Sequence, residues 1–311
     1  MDPISVGPAE KPGTVLFLPG TGRTNPGLAG LLAERIGAVP GLSGYRVLTV
    51  DWADGASEGI SPVPALPERY SAEDPPAVAD AALALALFGT DLSTADPLRQ
   101  AASAGAPAAA PESALLGETL QNLVLSVLTD AAVRYRIRFT AAAGEFFAKI
   151  AFYLRRGPEA RAPVAEALAG VDQDAPVVLM GHSLGSVVAV DLLSSAGGGR
   201  GRVDLLVTVG SPAPWFYLLD ALAHIGPGRP GNGPEAAWLN IRDERDLLSF
   251  CAERVFAGRN SNISDVGLES GEPFPAAHTV YFSDPLLYRI LWEHLQRALG
   301  GDSGSGNGAR V

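Results

Sequence analysis

The chain has 311 residues, of which 47% are hydrophobic and 18% are charged, and its formal net charge at pH 7 is −11. This length and composition fit one large globular domain or two small ones better than a disordered or coiled-coil protein. An acidic surface does not attract phosphate backbones, so we expect no nucleic-acid partner. The single cysteine, Cys251, excludes an internal disulfide.

Both ends of the chain are polar or glycine-rich. The N-terminal residues MDPISVGPAEKPG lack a basic region followed by an apolar core, and no uncharged run reaches about 18 residues as one helix. We therefore expect no signal peptide, no stable membrane anchor and a cytoplasmic location. The C-terminal stretch 300–311 is expected to be a disordered tail.

Short apolar segments alternate along the chain with segments whose apolar residues recur at helical spacing. Because these short segments are continuously apolar, the pattern predicts an α/β fold with a mostly parallel central sheet flanked by helices. The amphipathic segment DPLLYRILWEHLQRAL is expected to be the closing helix. The segments that contain the predicted strands are, in chain order, TVLFLPGTGR, YRVLTVDWAD, APVVLMG, VDLLVTVGSP, AAWLNIRDERD and HTVYF.

The second and third predicted strands are separated by far more chain than a crossover needs. A parallel connection takes about a dozen or more residues, usually including a helix, whereas residues 57–176 lie between these strands. We interpret this stretch as a mostly helical insertion that includes the crossover helix. It forms either a cap or lid over one end of the sheet, or a layer of helices packed against each other. Residues 1–56 and 177–299 are then expected to form the core.

The segment VVLMGHSLGSVVAVDLL joins the third predicted strand to a helix through a glycine-flanked turn around Ser183. A serine hydroxyl is a poor nucleophile unless it is held exposed, next to a base and close to amide donors. A tight strand-to-helix turn meets several of these requirements, and the following helix directs its free N–H groups and the positive end of its dipole at the serine. The spacing Gly181-x-Ser183-x-Gly185 in this context predicts a nucleophile elbow.

In these residues the chain resembles the α/β-hydrolase family, in particular its lipase- and esterase-like members. The resemblance covers the sheet segments from about Thr14 to Leu299 and does not cover the insertion. A second match to the elbow pattern, GASEG at 55–59, is followed by the proline-rich ISPVPALP, in which no helix can start. Ser57 is therefore not expected to be the nucleophile.

The resemblance implies a triad of serine, acid and histidine in that chain order. Of the four histidines, only His278 and His294 follow the last acidic loop. His278 is the expected base because it lies in HTVYFSDPLL, which resembles the His-x-x-Tyr pattern of several lipase-like relatives. The acid is expected after the fifth strand, where Asp246 precedes an apolar pair as in relatives. Asp243 and Glu244 are the alternatives.

The resemblance also implies an oxyanion hole made of two main-chain amides. The expected donors are Leu184, which follows the nucleophile, and Thr21, in the PGTG loop after the first strand; the Thr21 hydroxyl is a possible third donor. A phosphate cradle and a plain turn are the alternatives for that loop. His182, inside the elbow, is expected to point away from the groove. Trp215 and Phe216 are expected to contact the substrate at the carboxyl edge of the sheet.

These assignments predict a serine hydrolase that cleaves a carboxylic ester with an apolar acyl group through an acyl-enzyme. The substrate is expected to be a small-molecule or lipid-like ester, and neither a metal nor a cofactor is expected. An acyltransferase or thioesterase that uses the same triad is one alternative. A non-catalytic α/β-hydrolase-like binding protein is another.

Overall fold

The computed structural model describes residues 11–23, 25–53, 136–197, 201–274 and 276–300, with side chains in the long helix described from Phe146 onward. The chain divides into two compact units, of which one comprises residues 1–56, 149–272 and 277–311, and the other residues 57–148 and 273–276. The first unit holds the sheet. Of the predicted insertion, residues 57–135 lie outside the described residues, and so do Ser57 and the tail at 301–311.

Six strands in the described part of the chain form one sheet in which every neighbouring pair is parallel. The strand order is β2-β1-β3-β4-β5-β6, so the direction of chain winding reverses between β1 and β3. In open sheets of this kind, ligands bind at the carboxyl ends of the strands where the order reverses. The strands are β1 (Thr14–Leu18), β2 (Arg46–Thr49), β3 (Val177–His182), β4 (Leu205–Val209), β5 (Ala237–Arg242) and β6 (Ile263–Gly267).

Helices connect these strands and follow the last one. The longest is bent at Arg156, whose φ of −128° and ψ of 33° are not helical, directly before Gly157 and Pro158; proline is a common cause of such a bend. Among the described helices, none combines the length and the apolarity that crossing a membrane requires. The helices are α1 (Pro26–Gly37), α2 (Arg136–Gly170), α3 (Leu184–Leu193), α4 (Ala213–Leu218), α5 (Glu253–Phe256), α6 (Ala276–Thr279) and α7 (Pro285–Leu299).

Both faces of the sheet are covered. On one face, Val15 and Phe17 of β1 share a core with Leu32 of α1 and Leu291 of α7. The intervening residue Leu16 is also fully buried, and α3 packs along β3 and against β1 and β4. Burial on both faces is what continuous apolar strands require. The parallel sheet with helices on both faces confirms the predicted fold class.

The predicted sixth strand, HTVYF, is wrong. Residues Ala276–Thr279 form the short helix α6, a 3₁₀ turn follows at Val280–Ser283, and the sixth strand is Ile263–Gly267. β-Branched and aromatic residues favour a strand locally, but here packing decides. The buried side chains recur at helical spacing, and Phe282 meets Phe17 edge-on with the ring centroids 5.5 Å apart.

Candidate active site

Ser183 occupies the turn between β3 and α3 in a strained conformation. Its φ of 49° and ψ of −124° lie in a backbone region that residues other than glycine rarely adopt. The flanking glycines are required by close packing. A Cβ on Gly181 would lie 2.6 Å from the Ser186 Cα, and a Cβ on Gly185 would overlap the main-chain oxygen of Leu18. The elbow is therefore tight enough to turn the chain abruptly at the serine.

Hydrogen bonds and close contacts fix the main chain of Ser183 at the carboxyl edge of the sheet. Its N–H donates to the carbonyl of Val209 at the end of β4, at 3.0 Å, and its carbonyl accepts from the Ser186 N–H at 3.0 Å. The Ser186 hydroxyl also donates to that carbonyl. The loop after β1 approaches from the other side, since a Cβ on Gly20 would lie 2.7 Å from the Ser183 Cβ. Ser183 therefore stands between the ends of β1 and β4.

Asp246 and His278 form a buried hydrogen-bonded pair. The His278 Nδ1–H donates to Oδ2 of Asp246 at 2.9 Å, and the Tyr281 hydroxyl donates to the same oxygen at 2.8 Å. The Leu248 N–H donates to the other oxygen, Oδ1, at 3.0 Å. Burial disfavours the charged carboxylate, but these hydrogen bonds outweigh it and hold the pKa of Asp246 below its usual value. Asp246 is therefore ionised, and it leaves Nε2 of His278 free to accept a proton.

The end of β4 brings this pair to the elbow. Gly210, the residue after Val209, has a φ of 55°. A Cβ at this position would lie 2.8 Å from Oδ2 of Asp246 and 3.2 Å from Nδ1 of His278. The Ser183 N–H donates to the Val209 carbonyl, and the Asp246–His278 pair packs against Gly210. Ser183, Asp246 and His278 therefore lie together at the end of β4. Within the described residues the hydrogen bonds of His278 run to Asp246 and His182, and none joins it to Ser183.

The other acidic residues after β5 are held elsewhere. Asp243 accepts hydrogen bonds from the N–H and the hydroxyl of Ser270, at 2.9 and 2.6 Å, and from the Arg245 N–H at 2.8 Å. Burial opposes its ionisation, but the bonds from Ser270 and Arg245 lower the pKa of Asp243 below its usual value. Glu244 has an exposed side chain. Asp246 is therefore the carboxylate that the structure places against His278.

The two expected oxyanion donors lie on the segments that flank Ser183. Leu184 is the first residue of α3, where main-chain N–H groups have no partner within the helix. Thr21 follows Gly20 in the loop that contacts Ser183. This loop is closed by a 3.1 Å hydrogen bond from Gly22 N–H to the Pro19 carbonyl. The Thr21 hydroxyl donates to the Arg23 carbonyl at 3.0 Å and so is engaged outside the site.

His182 is buried, and its side chain contacts His278. Its ring lies 4.7 Å from the ring of His278, centroid to centroid, and its Nε2–H donates to the His278 carbonyl at 2.8 Å. Burial and the nearby His278 lower the pKa of His182 to about 3. The sequence shows this histidine in the elbow, but its hydrogen-bond partner lies 96 residues away and no local pattern identifies it.

The two aromatic residues expected to contact substrate differ in exposure. Trp215 on α4 is 47% exposed, and its ring stacks on Phe250 with the centroids 6.0 Å apart. Phe216 is buried, and its ring meets that of Tyr153 edge-on at 6.1 Å. Consecutive residues on a helix face different directions, so of these two side chains only Trp215 is exposed to solvent. Leu247, directly after Asp246, is 68% exposed.

The site brings together a serine, a carboxylate and a histidine. The described residues contain no group of three or more His, Cys, Asp or Glu side chains placed to hold a metal ion. A parallel sheet that reverses direction between β1 and β3, a serine elbow after β3, an acid after β5 and a histidine after β6 together define the α/β-hydrolase fold.

No family model matches the sequence, and no curated protein matches it either. Among solved structures, the chain is similar to Est1E from Butyrivibrio proteoclasticus, with 10% identity over 95% of this chain and 91% of that one and a TM-score of 0.40. A cutinase-like protein from Cryptococcus sp. matches at 13% identity over 95% and 98% of the two chains, with a TM-score of 0.32. An esterase from Pyrococcus furiosus matches at 17% identity over 44% of this chain and 60% of its own length, with a TM-score of 0.30. At such low identities and TM-scores, these similarities do not indicate an activity for this chain.

Proposed function

We propose that the protein is a serine hydrolase that cleaves carboxylic esters, with Ser183, Asp246 and His278 as its triad. The observation that carries this proposal is the convergence of three features at the end of β4. These are a serine held at positive φ in a strand-to-helix elbow, a histidine bonded through Nδ1, and a buried carboxylate that accepts this bond. An ordinary strand-to-helix turn needs neither the strained serine nor the buried pair.

The chemistry follows from these positions. His278 Nε2 takes the proton from Ser183 Oγ as Oγ bonds to the acyl carbon, and the carbonyl electron pair moves onto oxygen. The main-chain N–H groups of Leu184 and Thr21 stabilise that oxyanion. When the tetrahedral intermediate collapses, the bond to the alcohol oxygen breaks, and the departing alcohol takes the proton from His278. Asp246 stabilises the imidazolium and holds its tautomer throughout.

Deacylation repeats these steps with water. His278 removes a proton from the water as its oxygen attacks the acyl carbon, and then returns the proton to Ser183 Oγ as the acid leaves. An alcohol, an amine or a thiol in place of water would make the protein an acyltransferase. Added methanol separates these outcomes, because a hydrolase yields mainly the free acid, whereas a transferase yields mainly the methyl ester.

We propose an apolar acyl group because two large apolar side chains near the triad, Trp215 and Leu247, are exposed. Trp215 stacks on Phe250, and Phe250 N–H donates to the Ser211 carbonyl just beyond Gly210. Leu247 is the residue after the triad acid and keeps 68% of its surface exposed. An acyl chain that covers Trp215 and Leu247 removes this apolar area from water. Rates on p-nitrophenyl esters are therefore expected to rise from acetate to longer acyl chains.

Replacing the nucleophile tests the proposal. Ser183→Ala is expected to lower ester hydrolysis on the order of 10⁴-fold or more, because a triad without its nucleophile cannot form an acyl-enzyme. The measurement is kcat/KM on the p-nitrophenyl ester that the wild type prefers. Ser57→Ala, in the other match to the elbow pattern, is the matched control and is expected to retain wild-type activity. Equal activity of Ser183→Ala and the wild type would contradict the proposed function.

A further inference from the structure

His182 links the two catalytic groups through a single side chain. It is the last residue of β3 and the neighbour of Ser183 in the chain. Its Nε2 lies 2.8 Å from the carbonyl oxygen of His278. A carbonyl oxygen can only accept, so Nε2 carries the proton and donates. His278 is thus held at two atoms, at the ring Nδ1 by Asp246 and at the main-chain oxygen by His182.

The ring of His182 is also wedged between aromatic neighbours. The His278 ring lies 4.7 Å from it at a tilt of 36°, and the Phe282 ring meets it edge-on at 5.2 Å. Gly20 also lies close to the ring, since a Cβ at this position would lie 3.1 Å from the His182 Nδ1. A side chain that is only 8% exposed and packed on these sides has one available orientation. Its hydrogen bond to His278 is therefore fixed by packing.

We propose that His182 is a positioning residue that sets the distance and angle between the His278 ring and Ser183. This role rests on the proposed function, because it has meaning only if His278 is the base for Ser183. His182 and Ser183 share a peptide bond, so a hydrogen bond from one to the main chain of His278 places the base relative to the nucleophile. A displacement of about 1 Å at such a site costs about 10²-fold in rate.

The electrostatics of the cluster agree with this role. A protonated His182 would repel the imidazolium that His278 becomes during the reaction. Burial, and then the nearby His278, lower the pKa of His182 to about 3, while the Asp246 charge opposes this shift. The remaining titratable group of the cluster, Tyr281, has a pKa raised by burial and by Asp246, so it stays neutral. His182 therefore donates a hydrogen bond to His278 without adding a positive charge.

Two substitutions separate positioning from mere filling of space. His182→Phe keeps an aromatic ring and loses the donor, whereas His182→Gln loses the ring and keeps an N–H that can reach the carbonyl. We expect His182→Phe to lower kcat by about 10- to 100-fold with KM changed by less than about 2-fold, because a misplaced base affects the chemical step. His182→Gln is expected to stay within about 5-fold of the wild-type kcat.

The rescue by His182→Gln, together with the split between kcat and KM, gives a readout that a structural role would not change. A residue that only fills space would be replaced better by the ring of Phe than by Gln, so His182→Phe would then keep more of the wild-type kcat than His182→Gln. If His182→Phe has the wild-type kcat, or if both variants lose kcat equally, the positioning role is contradicted.

The wild-type protein supplies a further test, in which a variant serves only to assign the signal. Nitrogen-15 spectra of the histidine rings are expected to show His182 as the neutral Nε2–H tautomer throughout the pH range near 6, with assignment from the signal that His182→Gln lacks. A charged ring or an Nδ1–H tautomer would overturn the inference, because Nε2 could not then hold this bond. A wild type that neither hydrolyses esters nor reacts at Ser183 would instead contradict the proposed function.

Discussion

Three hydrogen bonds converge on the Asp246 carboxylate. His278 and Tyr281 donate to its Oδ2, and the Leu248 N–H donates to its Oδ1. We expect Asp246→Asn to lower kcat by about 10²- to 10⁴-fold, because an amide permits the wrong imidazole tautomer. Ester hydrolysis and the thermal midpoint, measured together, separate this loss from unfolding.

Asp243→Asn is the matched control for that change, since Asp243 lies three residues upstream and bonds to Ser270 instead of His278. Its kcat is expected to stay within about 5-fold of the wild type. If Asp243→Asn lost more activity than Asp246→Asn, the acid of the triad would be assigned wrongly.

Asp243 is expected to influence stability in a pH-dependent way. Its folded pKa lies below the ordinary value of 3.8, so its ionised form is favoured by folding. The stabilisation is present above about pH 4 and is lost as the pH falls through the folded pKa. The difference in the free energy of unfolding between the wild type and Asp243→Asn, from urea titrations, is therefore expected to shrink from pH 6 towards about pH 3. A constant difference over this range would contradict the account.

At the scale of elements, the turn between β3 and α3 holds Ser183 in a strained conformation. Ser183 has a φ of 49° and a ψ of −124°, which glycine adopts far more readily. Glycine at position 183 would relieve about 1–3 kcal/mol of backbone strain. This gain exceeds the backbone entropy that glycine costs relative to alanine, which is about 0.5–1 kcal/mol. Ser183→Gly is therefore expected to be about 1 kcal/mol more stable than Ser183→Ala, although both lack the hydroxyl. Chemical denaturation measures the difference, and equal stabilities would show that the turn is unstrained.

The elements around the site differ in how far the sequence predicts them. The elbow is predictable because its glycines are required by residues close in sequence: a Cβ on Gly181 would clash with the main chain of Ser186. The segment HTVYF is not, because its residues favour a strand while contacts with Phe17 and Asp246 require a helical turn. The proposed triad could be predicted from the sequence through the resemblance to α/β-hydrolases, which implies the chain order of serine, acid and histidine and an apolar pair after the acid. The hydrogen bonds of His182 and Tyr281 depend on tertiary packing and have no local signature.

On the scale of the whole sheet-bearing unit, Asp191 joins three segments away from the triad. It is fully buried on α3. Its Oδ2 accepts from Arg161 and Tyr153 of α2, at 2.6 and 2.7 Å, and its Oδ1 accepts from the His224 N–H at 2.9 Å. Removing one partner of a buried ion pair leaves the other charge uncompensated. This cluster is therefore expected to contribute to stability separately from the proposed triad.

Asp191→Ala is expected to lower the free energy of unfolding by about 3–5 kcal/mol, because Arg161 is left buried without its carboxylate. The folded fraction is expected to keep its reactivity at Ser183. Glu159→Ala, which removes an exposed ion pair with Arg156 on the same helix, is the control and is expected to leave the unfolding midpoint unchanged. Equal effects of the two substitutions in urea denaturation would contradict a stabilising role for the Asp191 cluster.

The central claim, that Ser183 is an activated nucleophile, is tested most directly by covalent labelling. The folded protein is treated with a fluorophosphonate, its intact mass is measured, and the modified peptide is identified after proteolysis. The account predicts one adduct per chain, located on the peptide that contains Ser183, absent from Ser183→Ala and formed more slowly in Asp246→Asn. An unmodified protein, or an adduct on any other serine that persists in Ser183→Ala, would contradict it.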